Sequence, residues 1–191
     1  ADALAGWGIH ITSTVLGVLA ERGPSVVFTY LNMPNEAPTL EIVRALLGDG
    51  VRVVVPRVVT GSADMTLHEI TDLDRDIRPG LWGIPTPRKR CPVVDGAAVD
   101  TVLVPMVAFD DDGWRIGHGA GYYDRFLSAN PHAYRLGVAL ELQRVDACLP
   151  QEWDEPLHAL VTEDGIRQFD TAAGERTPTV DDVTRGRGVP T

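Results

Sequence analysis

The amino-acid sequence predicts an α/β protein with three layers, in which helices cover both faces of a mostly parallel sheet. Predicted strands and helices alternate along the chain, and the strands are continuous apolar runs rather than alternating apolar and polar residues. Residues 25–56 also read as one strand–helix–strand unit. A chain of 191 residues is long enough to bury a sizeable core. We therefore expect a single α/β domain over residues 1–170.

A helix and a strand open the predicted domain. Residues 9–20 carry apolar side chains at helical spacing, and the Arg-Gly-Pro sequence at 22–24 ends the helix. Threonines and Val15 lower the helix propensity of this stretch, because β-branched side chains lose rotamer freedom in a helix. Residues 25–31, SVVFTYL, are β-branched and aromatic, which is typical of a buried strand.

The next helix and strand complete the βαβ unit. Thr39 is the predicted N-cap, and Glu41 favours the first turn because a carboxylate stabilises the positive end of the helix dipole. Gly48 ends this helix, and residues 51–56, VRVVVP, form the second strand. Ligands in such folds bind on the loops at the carboxyl ends of the strands, so these loops are the first place to look for a site.

Predicted strands and a helix continue to residue 170, and the chain after it shows no regular pattern. Residues 78–92 hold four prolines and two glycines, which predicts an irregular surface excursion. A short helix is predicted over 122–130. Residues 171–191 are polar without periodicity and predict a weakly ordered tail. The remaining predicted strands are apolar runs at 65–70, 98–105, 134–140, 158–164 and 165–170.

Composition limits the partners of the protein. The formal net charge is −10, which argues against nucleic acid because lysines and arginines must neutralise phosphates there. A small anionic ligand remains compatible, since local backbone dipoles can bind it. No apolar run approaches the ~20 residues that cross a membrane, and two distant cysteines fit a reducing compartment. We expect a cytoplasmic protein without nucleic-acid or membrane partners, as a monomer or weak dimer.

Residues 115–126 read RIGHGAGYYDRF, with three alternating glycines before a helix predicted to start at Tyr122. Such glycines let successive backbone N–H groups converge on one anion, and the helix N-terminus adds its dipole. Asp124 lies in the first turn, where a carboxylate can reach a magnesium ion held by phosphates. The spacing matches neither the Walker A loop nor the dinucleotide-binding fingerprint. Alone, it is as compatible with a plain turn as with a phosphate-binding loop.

The surroundings of these glycines carry a more specific signal. The stretch PMVAFDDDGWRIGHGAGYYDRFL, at 105–127, resembles the signature of the 5-formyltetrahydrofolate cyclo-ligase family, also called methenyltetrahydrofolate synthetases. Ile116 stands where the family usually has leucine. The segments YLNMPNEAPT, VRVVVPRV, LWGIPTP and CLPQEWDEPLHALVTED resemble other family segments in the same order. The resemblance runs from about residue 24 to 168.

The resemblance implies a phosphate loop, a folate site, a magnesium site and catalytic side chains. The loop that holds the ATP phosphates would consist of Gly117, His118, Gly119, Ala120, Gly121 and Tyr122. The folate site would be lined by Leu31, Glu36, Trp82 and Tyr122. Magnesium would be bound at Asp124 and Asp154, and the catalytic side chains would be Arg115, at the triphosphate, and Tyr123.

Several of these residues also have a purely structural interpretation. Glu36 fits an exposed loop acid, Asp154 a turn cap before proline, and Trp82 a cover for the sheet. Asp124 fits a partner of the helix dipole, and one of the two adjacent tyrosines fits the core. Because all of these residues occur together and in the order of the family, the functional interpretation is favoured.

The family is similar in fold to the NagB/RpiA/CoA-transferase-like proteins. The resemblance implies cyclisation of 5-formyltetrahydrofolate to 5,10-methenyltetrahydrofolate with ATP and Mg²⁺, releasing ADP and phosphate. Family members usually carry a lysine in their first helix that reaches ATP, whereas Lys89 is the only lysine here. An alternative therefore stays open, namely a divergent noncatalytic or repurposed paralogue, thiamine-related ones included, that binds a folate-like or nucleotide ligand. Site patterns of sugar-phosphate isomerases or CoA-transferases are not visible.

Overall fold

A computed structural model describes residues 2–33, 36–58, 65–80 and 83–170 of the chain. The helices are α1 (Asp2–Arg22), α2 (Leu40–Gly48), α3 (Leu73–Asp76) and α4 (Tyr122–Ala129). The strands are β1 (Val26–Phe28), β2 (Arg52–Val58), β3 (Met65–Ile70), β4 (Ile77–Pro79), β5 (Pro85–Pro87), β6 (Val93–Val94), β7 (Thr101–Val104), β8 (Ala108–Phe109), β9 (Arg115–Ile116), β10 (Tyr134–Val138), β11 (Ala159–Thr162) and β12 (Gly165–Gln168). The predicted tail at 171–191 lies outside the described residues.

Eight strands form the central sheet in the order β12-β11-β10-β7-β1-β2-β3-β6. The five strands from β11 to β2 are parallel, while β12, β3 and β6 pair antiparallel at the two sides. The mostly parallel sheet predicted from the sequence is thereby confirmed. The parallel pairing of β1 with β2 across α2 also confirms the βαβ unit.

Helices cover both faces of the sheet, as the uninterrupted apolar strands predicted. Side chains alternate along a strand, so Val27 of β1 joins one apolar cluster and Phe28 joins the other. The first cluster includes Ile11 of α1 and Ile42 of α2, both fully buried. The second includes Leu127 of α4. The packing of helices on both faces holds the sheet in place. Because β1 and β7 are adjacent and parallel, the loops that follow them leave the sheet at the same edge.

The structure differs most from the sequence-based element bounds at the first helix, at the first strand and in the proline-rich excursion. The first helix spans Asp2–Arg22 rather than 9–20, and the strand predicted at 25–31 forms ladder pairs over Val26–Phe28. The excursion predicted at 78–92 contains β5 of a two-stranded hairpin with β4. Prolines are tolerated here because β4 and β5 form a separate two-stranded sheet. Both are therefore edge strands, in which a missing backbone N–H disrupts fewer ladder hydrogen bonds.

None of the helices within the described ranges is long and apolar enough to span a bilayer.

Candidate functional site

The glycine loop joins the β8–β9 hairpin to the N-terminus of α4. Gly119 and Gly121 have φ angles of +84° and +63°, a region that glycine adopts with little cost. A Cβ atom on Gly119 would meet nothing within 4 Å, so the loop borders open space there. Arg125 donates from Nη2 to the Ala120 carbonyl oxygen at 2.9 Å and braces the turn. His118 is exposed, and its contact with the ATP phosphates stays a prediction.

Asp124 and Arg115 form a largely buried ion pair behind this loop. Arg115 Nη2 donates to Asp124 Oδ1 at 2.8 Å, and its side chain is 3% exposed compared with 20% for Asp124. The other guanidinium nitrogen, Nη1, donates to the Glu155 carbonyl oxygen at 3.0 Å. Arg115 therefore ties α4 to the segment around residue 155. A direct contact of Arg115 with a triphosphate stays a prediction.

Tyr123 points the other way, into the second apolar cluster. Its ring stacks on Phe28, with the ring centres 5.3 Å apart and the planes 4° from parallel. The buried Tyr123 hydroxyl has no hydrogen-bond partner among the described residues. Burial raises the pKa of this hydroxyl well above its usual range, and the Glu36 carboxylate raises it further while Arg115 lowers it. Tyr123 is thus a neutral hydroxyl with an unused donor. Its neighbour Tyr122 instead lies beneath the Arg125 guanidinium, at 5.4 Å from the ring centre.

Glu36 is carried by the loop that follows β1. Its Oε2 accepts a hydrogen bond from the Met33 N–H at 2.8 Å, and the Glu36 N–H donates to the Met33 carbonyl oxygen at 3.0 Å. Burial raises the pKa of the Tyr30 hydroxyl, and the Glu36 charge adds to that rise. Glu36 thus lies close to Tyr30 and Tyr123.

The structure places Glu36, predicted for the folate site, near the predicted catalytic residue Tyr123, and places Leu31 in the core. The Glu36 carboxylate is near enough to the Tyr123 hydroxyl for its charge to raise the pKa of that hydroxyl, although 87 positions separate the two residues in the chain. Leu31 is buried in the first apolar cluster with the helices α1 and α2. Trp82 lies outside the described residues.

A cavity of about 640 Å³ opens beside the glycine loop and α4. Eight residues of α4, the glycine loop and the loop after β10 line it: Gly119, Ala120, Gly121, Asp124, Arg125, Ser128, Ala129 and Trp153. Small side chains on the outer surface of α4 leave this space open. Trp153 forms a wall of the cavity and is 67% exposed.

Asp154 follows Trp153 in a tight turn. The Gln151 N–H donates to Asp154 Oδ2 at 2.7 Å, and the Asp154 N–H donates to the Gln151 carbonyl oxygen at 3.0 Å. This is the turn-capping contact that its position before Pro156 suggests. The turn is anchored nearby, since Glu155 pairs with Arg135 at 2.8 Å.

Within the described ranges, no group of three or more histidine, cysteine, aspartate or glutamate side chains is arranged to hold a metal ion. Magnesium typically binds one or two protein carboxylates and completes its coordination with phosphate oxygens and water. Asp124 lines the cavity, and Asp154 is adjacent in the chain to Trp153, which also lines it. Two carboxylates are compatible with that kind of coordination, and magnesium binding at Asp124 and Asp154 stays a prediction.

Sequence reasoning missed three contributors to this site. It did not predict the β8–β9 hairpin, which aims Arg115 inward, because strands of two residues have no readable periodicity. It did not single out Phe28 as the platform for Tyr123. Trp153 also went unnoticed, although an aromatic beside a predicted magnesium ligand was a visible signal.

Known proteins resemble this chain in sequence and in structure. A model of the 5-formyltetrahydrofolate cyclo-ligase family matches residues 10–163. The 5-formyltetrahydrofolate cyclo-ligase of Escherichia coli K12 is 31% identical over 139 residues, which cover 71% of this chain and 76% of that protein. A probable 5-formyltetrahydrofolate cyclo-ligase of Caenorhabditis elegans is 30% identical over 153 residues, 74% of each chain.

Solved structures show the same relationship. The 5,10-methenyltetrahydrofolate synthetase of Aquifex aeolicus matches with a TM-score of 0.72 at 26% identity, covering 84% of this chain and 80% of that one. The synthetase of Mycoplasma pneumoniae matches with a TM-score of 0.69 at 20% identity, covering 85% and 88%, which shows the shared fold.

Proposed function

Because this chain belongs to the 5-formyltetrahydrofolate cyclo-ligase family, we propose that it converts 5-formyltetrahydrofolate and ATP into 5,10-methenyltetrahydrofolate, ADP and phosphate. The observation that carries the proposal is the glycine loop at the N-terminus of α4, which borders a cavity that Asp124 also lines. A helix N-terminus whose backbone N–H groups are accessible to a ligand suits a phosphate chain.

The reaction we propose has two steps. The formyl oxygen attacks the γ-phosphorus of ATP, the bond from that phosphorus to the bridging oxygen breaks, and ADP leaves with the electron pair. N10 then attacks the activated formyl carbon and gives up its proton. The carbon–oxygen bond breaks toward phosphate, and the N5 lone pair delocalises into the methenyl cation. Positioning and stabilisation of phosphate charge supply most of the catalysis in such a transfer.

Each group of residues has a task in this scheme. The loop from Gly117 to Gly121 would hold the triphosphate. Arg115, enclosed between Asp124 and the Glu155 carbonyl, would orient the Asp124 carboxylate. Mg²⁺, when bound with the nucleotide at Asp124 and Asp154, would neutralise phosphate charge.

The folate would bind where the loop after β1 meets α4. Glu36 would accept hydrogen bonds from the N–H groups of the pterin, since a carboxylate suits a pair of donors. The Tyr123 hydroxyl, neutral and without a described partner, can donate to an oxygen or nitrogen of the bound substrate. An unsatisfied buried hydroxyl is costly unless a ligand completes it.

The test combines the purified chain with 5-formyltetrahydrofolate, ATP and Mg²⁺ and monitors the absorbance of the methenyl product. We expect product only when ATP is present. A relative such as the Escherichia coli cyclo-ligase serves as the positive control. If the control turns over and this chain does not, the proposed reaction is wrong.

A second measurement separates loss of the reaction from loss of binding. Calorimetry with the folate and with Mg-ATP, each alone, is expected to show both binding. Binding of either ligand without turnover would instead indicate a noncatalytic relative. The absence of lysine from α1 of this chain motivates that control.

A further inference from the structure

Trp153 differs from the other tryptophans in the described part of the chain. Trp7 and Trp114 are partly buried, whereas Trp153 is 67% exposed. It also faces the cavity beside the glycine loop and is the one aromatic side chain among the eight lining residues. An exposed aromatic side chain on the wall of a cavity is available to a ligand, and ligand pockets are usually lined by aromatic and apolar side chains.

The cavity combines two kinds of surface along one short helix. At its start are the glycine loop and Asp124, which suit phosphates and their metal ion. About one helical turn further, some 6 Å along the axis, Ser128 and Ala129 contribute small side chains that leave room for a ligand. Trp153 supplies a flat wall to the same space.

The turn that carries Trp153 is held in place without a ligand. Two hydrogen bonds between Gln151 and Asp154 close it, and Glu155 is fixed by both Arg115 and Arg135. A wall held this way loses little conformational freedom on binding, which favours affinity.

We infer that Trp153 is the platform on which the base of the nucleotide stacks, and that it makes this chain bind ATP rather than a bare phosphate chain. The inference rests on the proposed function, because it concerns the same nucleotide. Base–aromatic stacking is tolerant of base identity, so Trp153 would add affinity for a nucleoside without strong selection among bases.

The pterin ring is the other flat group in the proposed reaction. Its proposed partners Glu36 and Tyr123 do not line the cavity, and Tyr123 is stacked inward on Phe28. Trp153 instead shares its cavity with the residues predicted to hold phosphate. This division favours the nucleotide as the group that Trp153 contacts.

The experiment compares Trp153→Ala and Trp153→Phe with the unmodified protein by titration calorimetry. The ligands are Mg-ATP, Mg-tripolyphosphate and 5-formyltetrahydrofolate, each alone. We expect Trp153→Ala to weaken ATP binding about 5- to 150-fold, the range of stacking contributions. Trp153→Phe keeps an aromatic face and most of the affinity. Affinities for tripolyphosphate and for the folate stay within about twofold, since stacking concerns the base alone.

Val93→Ala is the matched control, because Val93 is 68% exposed on an edge strand and does not line the cavity. Circular dichroism confirms that each variant is folded. Equal ATP affinity in Trp153→Ala, a parallel loss for ATP and tripolyphosphate, or a loss confined to the folate would each overturn the inference while leaving the proposed reaction intact. Failure of the unmodified protein to bind ATP at all would overturn both.

Discussion

Replacing Asp124 with alanine removes the carboxylate that pairs with a buried guanidinium. The Arg115 side chain is 3% exposed, so it cannot turn to water without unpacking α4. Removing one partner of a fully buried pair costs about 3–5 kcal/mol. Asp124 is 20% exposed and partly screened, so we expect about 2–3 kcal/mol. For a chain of this size that corresponds to a fall in melting temperature of roughly 5–10 °C.

A double-mutant cycle isolates the pair. Urea unfolding followed by circular dichroism is measured for Asp124→Ala, Arg115→Met and the double variant. We expect the double variant to be more stable than the sum of the single effects by about 1–3 kcal/mol. The exposed pair of Arg44 and Glu41 is the matched control, with an expected coupling below about 0.5 kcal/mol. Additive effects at Asp124 and Arg115 would refute the claim that the buried pair stabilises this site.

The same substitution also tests the nucleotide site. Asp124→Ala is expected to abolish detectable Mg-ATP binding while binding of 5-formyltetrahydrofolate is retained, because the substitution keeps Glu36 and Tyr123, the proposed folate contacts. Asp124→Asn keeps the side-chain shape without its charge, and it should lose Mg-ATP binding as well. Unchanged ATP affinity in either folded variant would contradict the role assigned to Asp124.

Three further outcomes follow from single contacts. Gly119→Ala should cost about 1–2 kcal/mol in urea unfolding, because its φ of +84° strains an L-residue while its Cβ meets open space; no loss would contradict the conformational argument. Tyr123→Phe should leave stability unchanged or higher, since it removes a buried hydroxyl without a described partner, yet it should lower turnover; unchanged turnover would exclude a substrate contact. Hydrogen bonds from Arg167 lower the pKa of Glu141 below its ordinary 4.5, so the pair stabilises the fold above that pH and is lost as pH falls through the depressed value. Glu141→Gln should therefore destabilise the protein near neutral pH, with the difference from the unmodified protein closing in acid; a gap that is independent of pH would contradict this linkage.

The layered fold was predictable because it follows from apolar periodicity and from the order of elements. Residues 65–70 formed a strand with the predicted bounds, and residues 122–130 a helix that ends one residue earlier than predicted. The sheet order was not predictable, because it depends on which strand edges meet in three dimensions. The β4–β5 hairpin was missed because prolines and glycines conceal strands of three residues.

Candidate site residues could be named from the sequence, but the contacts between them could not. The motif identified Asp124 and Arg115, yet only the fold shows that they pair with each other. Similarly, Tyr123 was assigned a role without any sign that Phe28 supports its ring or that its hydroxyl lacks a partner. Such facts depend on contacts between distant segments, which carry no local pattern.

The central claim is that phosphate is transferred to the formyl oxygen, and an isotope measurement tests it most directly. The chain is supplied with Mg-ATP and 5-formyltetrahydrofolate whose formyl oxygen is oxygen-18, and the released phosphate is analysed by mass spectrometry. The account predicts one labelled oxygen in each phosphate and one ADP for each methenyl product. Unlabelled phosphate formed alongside the methenyl product would contradict it.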